Sequence, residues 1–298
     1  MTSSLLTPRR RVRARITGAA TTDSGAHAGS HTGSTAPTRI LDWRHPAVAS
    51  LVQRLDMPTS ADAADPLRRT AALRRAHHWI AATVRPVYSV RDERPVSQVL
   101  RRGRGSCSQR LAVLESVARA CGMATRVRGL LVDGRFWYPR FPLVRPVVPH
   151  QVVLAWPEFH VQGLSPAVHP AAPWLTASEL FGGFDELSGR PGGGFTNSGP
   201  ETLFDALSRT AIDWDGTTAC PATGPACDLS AHVLADLGHF DSRDALFARH
   251  GQTLCGMARL LAEPVLGHRS AAARWDSADG TALTVDRPPG GAAVSGRD

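Results

Sequence analysis

Apolar residues recur at helical spacing through the first third of the chain, and the period then shortens to that of strands. Segment 46–56 predicts a short amphipathic helix. Segment 66–83 sets Leu67, Ala71, Ala72, Trp79 and Ile80 against arginines on the other face and predicts a second helix. Pro95 can open another helical turn over 95–101, because proline is tolerated at the first helical position. The best-marked helix follows Ser106. Gln109 stands three residues on, as a capping box requires, and Leu111, Leu114, Val117, Ala118 and Cys121 repeat at three and four. Gly122 then falls where a left-handed C-cap belongs. Beyond it, 124–132 and 150–156 read as strands, 135–138 as a partner turned back across Asp133 and Gly134, and 158–165 as a third strand. Further helices are expected at 176–181, 201–213, 229–237 and 241–262. Helices followed by a run of strands predict an α+β fold with a helical C-terminal extension.

Composition changes this picture mainly at the ends. The 298 residues hold no run of eighteen apolar residues, so a membrane span is not expected. All 34 basic residues are arginine; there is no lysine and a single asparagine, Asn197, which is the codon signature of a GC-rich genome. Six arginines and one acid fall within residues 1–40, whereas the remainder is close to balanced. The basic excess therefore belongs to a tail, and a nucleic-acid-binding body is not expected. Residues 16–38 are mostly Gly, Ser, Thr and Ala, too poor in large apolar groups to offset ordering entropy. The division expected is a disordered basic tail over 1–40, a core over 41–170, an extension over 171–284 that covers the core, and a disordered tail over 285–298. No apolar signal-peptide segment is seen, and a cytoplasmic location follows.

Five cysteines, an odd number spread over 150 residues, do not make a disulfide scaffold, and the spacing of Cys220 and Cys227 fits no zinc knuckle. There is no G-x-S-x-G elbow, phosphate-binding lysine loop, H-E-x-x-H or dinucleotide fingerprint. No metal and no cofactor is expected. What remains is Cys107, at the first turn of the best-marked helix. A thiolate there meets the positive end of the helix dipole and unpaired N–H groups, with Arg101, Arg102, Arg104 and Arg110 adding positive potential. Cys121, on the apolar stripe, is placed to pack. A nucleophilic cysteine needs a base, and His150, at the start of a predicted strand, can face a helix N-terminus packed on that sheet. Trp137 and Tyr138 are candidates for a groove wall. His77 and His78 read as surface or half-buried helix residues.

The stretch Ser97–Val132, with Gly105-Ser106-Cys107, Arg119-Ala120-Cys121-Gly122-Met123 and Thr125-Arg126-Val127, resembles the core of the transglutaminase-like superfamily over roughly residues 70–170. The resemblance implies a papain-like arrangement, with the cysteine at a helix N-terminus packed on an antiparallel sheet. It also implies acyl transfer through a Cys107 acyl-enzyme. The acyl donor would be a peptide, amide or thioester, and water or an amine the acceptor. The family histidine opens the next strand in an H-x-W-x-E-like pattern. His150 matches its place, although Gln151, Val152 and Val153 differ from the pattern. The family aspartate follows about fifteen residues later, where this chain has Ser165. No aspartate occurs between Asp133 and Asp185, and Gln162 is the neutral candidate for orienting the imidazole. That departure keeps a second expectation alive, a catalytically degenerate binding or scaffold protein of the same fold.

Overall fold

The structure, a computed structural model, describes residues 32–58, 65–143, 145–161, 174–182, 195, 197–210, 212–215, 229–254 and 256–271. Helix α1 (Pro46–Arg54) is capped by the His45 ring, which accepts from the Ala47 N–H. Helix α2 (Pro66–Thr83) is capped by the Asp65 carboxylate, and each carries proline in its first turn. A two-residue strand β1 (Arg85–Pro86) pairs in parallel with β2 (Arg104–Gly105), and between them lies α3 (Val96–Arg102). Helix α4 (Cys107–Ala120) starts on the capping box of Ser106 and Gln109, and Gly122 follows it at φ +75°.

Helix α4 is buried from Gln109 to Arg119, all round rather than on one stripe. It packs against α1, α2, α3 and the sheet, so its polar residues must find internal partners. Arg119 donates to the Thr125 hydroxyl and to the Ala36 and Asp241 carbonyls. Residues from Thr32 onward lie against this layer: Ser34 bridges Thr125, and Ile40 and Leu41 are buried. Residues 1–31 and 272–298, which hold most of both expected tails, lie outside the described residues.

The sheet has four antiparallel strands in the order β5-β4-β3-β6. Strand β3 is Thr125–Asp133, β4 is Gln151–His160, β5 is Trp174–Thr176 and β6 is Val233–Phe240. Asp133 pairs with Gln151 and Thr125 with Phe159. Pro157 is tolerated inside β4. The His160 N–H reaches the Ala124 carbonyl on the β3 side, so Pro157 faces the other way, beyond the last residue paired with β5.

Several predicted elements are corrected. Residues 135–138 are not a strand: Gly134–Arg140 forms a 3-10 turn capped by the Asp133 carboxylate, with Pro139 inside it. Gly134 is required there, because a Cβ would sit 1.8 Å from the Pro149 carbonyl oxygen. Residues 158–160 continue β4 rather than start a new strand, and β5 supplies the third strand of the sheet; residues 162–165 lie outside the described ones. The segment 229–237, rich in helix-forming residues, is a short 3-10 turn and then β6, because the open edge of β3 offers it a ladder. The helix expected at 201–213 shrinks to α5 (Leu203–Ala206), and that at 176–181 to a 3-10 turn at Ala177–Glu179. The segment 241–262 divides into α6 (Arg243–His250) and α7 (Gly256–Leu266) around Gly251 at φ +76°. The C-terminal part is therefore not only helical, since it supplies two of the four strands. The α+β class and the antiparallel sheet hold.

Candidate functional site

A cavity of about 430 Å³ opens between the N-terminus of α4, the start of β4, the 3-10 turn at Gly134–Arg140 and helix α7. Its wall is largely apolar, with Val87, Phe136, Trp137, Val152, Leu254 and Leu266 prominent. Cys107 lies on this wall as the first residue of α4, flanked by Ser106 and Ser108, which also line it. The capping box holds the first turn: the Ser106 hydroxyl accepts from the Gln109 N–H, and the Gln109 amide oxygen accepts from the Ser106 N–H. Among the described residues the N–H groups of Cys107 and Ser108 have no acceptor, as the first turn of a helix dictates.

Burial governs the thiol. It pushes Cys107 up to about 12, against the Arg110 and Arg243 guanidiniums and a hydrogen bond with the Phe204 main chain, all of which favour the thiolate. The positive potential expected from four neighbouring arginines is thus outweighed. Arg101 and Arg102 are exposed, and Arg110 is fully buried in an ion pair with Asp205 at 2.8 Å, stacked over Phe204 at 4.3 Å. The same Arg110 holds Thr202, which caps α5 and lines the cavity.

The predicted partners of Cys107 fall in different places. His150 is exposed; Pro149 and Val152 on either side of it line the cavity, but His150 does not, and its carbonyl accepts from Gly134. Gln162 and Ser165 lie outside the described residues. Read against H-x-W-x-E, Trp156 and Glu158 of β4 occupy the last two positions and Leu154 the first. It is Leu154 that shares the cavity wall with Cys107. Glu158 pairs with Arg126 and His239, and His160 packs on Trp174. Trp137 lines the cavity as expected, whereas Tyr138 does not and stacks under Arg145 instead.

The structure also brings in residues that no local pattern marked. Asp92 lines the cavity and shares Ser108 with Arg243; burial lifts its carboxyl to about 6. Arg140, at the end of the 3-10 turn, lines it as a buried guanidinium. His77 is buried rather than on the surface. Its ring stacks on Phe204 at 4.3 Å, and burial lowers it to about 4. It is therefore neutral, and its Nε2–H donates to the Phe204 carbonyl at 2.6 Å. That bond steadies the residue whose main chain meets Cys107. Helix α7 is tied to the site through Glu263, which accepts from Ser89 and the Val90 N–H and pairs with Arg94, while Gln109 of the capping box donates to the same Ser89.

Among the described residues no group of three or more His, Cys, Asp or Glu could hold a metal ion, and no helix is long and apolar enough to cross a membrane. Compared with known families, residues 53–175 match the transglutaminase-like superfamily. No curated protein and no solved structure matches the chain.

Proposed function

From the premise that residues 53–175 form a transglutaminase-like superfamily domain, we propose that the protein carries out cysteine-dependent acyl transfer on an amide, peptide or thioester carbonyl. The observation that supports this reading is Cys107 at the first position of a buried helix, on the wall of an apolar cavity, beside two N–H groups that have no acceptor among the described residues. The Cys107 sulfur attacks the carbonyl carbon, and a C–S bond forms as the thiol proton passes to a base. The Cys107 and Ser108 N–H groups receive the oxyanion. Collapse expels the amine or thiol, which takes the proton back, and leaves a Cys107 thioester. Water or an amine then releases the acyl group. Because burial keeps the resting thiol protonated, the proton leaves during attack rather than before it. His150 is the base in this reading and must turn in from the exposed start of β4 to take that proton, with Gln162 or Ser165 the candidates for orienting its ring.

The test is trapping. The protein is incubated with p-nitrophenyl and thioester donors of apolar acyl groups and then mapped by mass spectrometry. A hydroxylamine-sensitive acyl adduct on Cys107, absent from Cys107→Ala and slowed in His150→Ala, is the expected result. Absence of any adduct on Cys107 overturns the reading.

A second reading, a ligand-binding member of the fold without turnover, is favoured by one observation: Leu154 stands where the pattern places histidine, while His150 is exposed. It predicts ligand binding with no Cys107 adduct.

A further inference from the structure

Only two charged side chains line the cavity among the described residues, Asp92 and Arg140. Their surroundings differ. Asp92 has an opposite charge at hand, since Arg243 and the carboxylate meet through Ser108. Arg140 is 3% exposed and has no carboxylate within ion-pair distance among the described residues. Its Nε donates to the Asn197 amide oxygen at 2.8 Å, and its two other nitrogens donate to the Ala271 and Glu201 carbonyls. The Tyr88 hydroxyl is a further neutral partner. A guanidinium carries five N–H donors, so these four contacts orient the group and leave one donor over.

The cradle is built, not incidental. Asn197 is the one asparagine in 298 residues, and it is buried at φ +53°, a conformation that asparagine tolerates far better than most residues. Its amide faces both ways: the oxygen accepts from Arg140, and the nitrogen donates to the Phe136 carbonyl at 2.7 Å. Arg140, Phe136 and Asn197 all line the cavity. A composition that has all but lost asparagine keeps it where an amide of both polarities, in a left-handed conformation, fixes a guanidinium against an apolar hollow.

The Glu201 and Asp205 charges act on Arg140 from beyond ion-pair distance and offset its burial only in part; a buried cation so placed is costly, and an anion arriving from the cavity side reduces that cost. A carboxylate oxygen can accept the remaining N–H in a charge-assisted hydrogen bond. We propose that the cavity binds an apolar molecule ending in a carboxylate, and that Arg140 receives the carboxylate. Burial works against the charge of Arg140. As a statement about binding, this stands apart from the chemistry of Cys107. As a statement about the acyl donor, it rests on the acyl-transfer reading, and places the donor's free carboxylate, not its reacting carbonyl, at Arg140.

The test is calorimetric titration of the full chain, and of Cys107→Ala, with two matched pairs. One pair is N-acetyl-Leu-Phe with a free and with an amidated C-terminus; the other is decanoate and decanol. The expected result is at least tenfold tighter binding of an acid than of its neutral counterpart, kept in Cys107→Ala and lost in Arg140→Gln. Preference for the peptide acid alone assigns the site to peptide C-termini, and preference for decanoate alone to alkyl acids; either supports the proposal. Equal affinity of acid and neutral forms for the wild-type chain, or no binding by any of the four at millimolar concentration, overturns it. Should Arg140→Gln fail to fold, the wild-type acid-to-neutral ratio still decides. Acid binding without a Cys107 adduct would sink the acyl-transfer reading and leave this one standing.

Discussion

Arg243 and Arg140 are both buried arginines within the same domain-sized body, at 0% and 3% exposure, and they are treated in opposite ways. Arg243 of α6 reaches under the sheet to Glu115 of α4, which is also 0% exposed, with Nε 2.5 Å from the carboxylate. Its remaining nitrogens go to the Ser108 hydroxyl and the Ala155 carbonyl. In that region the guanidinium has its opposite charge in direct contact. Arg140 is held as firmly, but by amide, carbonyl and hydroxyl oxygens, and on its open side lies a cavity. A buried ion pair ties elements together. A buried charge beside a hollow, with no ion pair among the described residues, is what the proposed carboxylate would meet.

The sharpest break in this comparison concerns Cys107, which lies between the two regions. Cys107→Ala is expected to abolish adduct formation with acyl donors while changing unfolding free energy by no more than about 1–2 kcal/mol, since only a small half-buried group is lost. Mass spectrometry and urea unfolding together check it. Next in size is Arg243→Met. It strands Glu115 in the core, and should destabilise the protein by about 3–5 kcal/mol in urea unfolding, because breaking a buried pair leaves an uncompensated charge. The double change Arg243→Met with Glu115→Leu should recover most of that loss. If it does not, the pair is holding α6 through contacts other than charge.

Arg140→Gln belongs to the other arm. It leaves no stranded carboxylate, so its effect on stability should stay near 1–2 kcal/mol, the scale of unmade hydrogen bonds. A loss as large as that of Arg243→Met would mean that Arg140 is structural after all.

The last effect is a slope with pH rather than a loss at one pH. Asp92, lifted to about 6, is harder to ionise folded than unfolded, so its contribution to stability falls as pH rises from about 4 to about 6. His77, lowered to about 4, works the other way: it resists protonation when folded, and stability is lost as pH falls from about 6.5 to about 4. The two oppose each other in wild type. Asp92→Asn leaves His77 alone, so the fall in stability between pH 6.5 and pH 4 should be steeper in the variant. Unchanged slopes would show that Asp92 ionises as freely in the cavity as in water.

Much of the framework was legible because its causes are local. Ser106 and Gln109 announce the start of α4, and Gly122 its end, since caps act within a turn. The two long strands beyond it, β3 and β4, carry β-type runs, broken in β4 only at Pro157. The turn at Asp133 and Gly134 was legible as a turn but not as the 3-10 stretch that follows, where the chain packs so closely on the Pro149 carbonyl, fifteen residues away, that only glycine fits at 134. The segment that became β6 looked helical, since Ala and Leu favour helix on their own. The edge of β3 overrode that preference.

At the site the division is the same. Sequence alone marked Cys107, its place at the first turn of a capped helix, and the transglutaminase-like setting, because each depends on neighbours within a few residues. It did not mark Asp92, Arg140, Arg243 or the neutral His77, and it set His150 where β4 presents Leu154 to the cavity. Burial, counter-ions and which face of a strand meets a helix are properties of packing between distant segments. Those segments decide whether the Cys107 thiol is anionic or protonated, and whether a guanidinium is paired or waiting. Only the tertiary structure could decide that, because desolvation depends on everything that surrounds a group and not on what adjoins it in the chain.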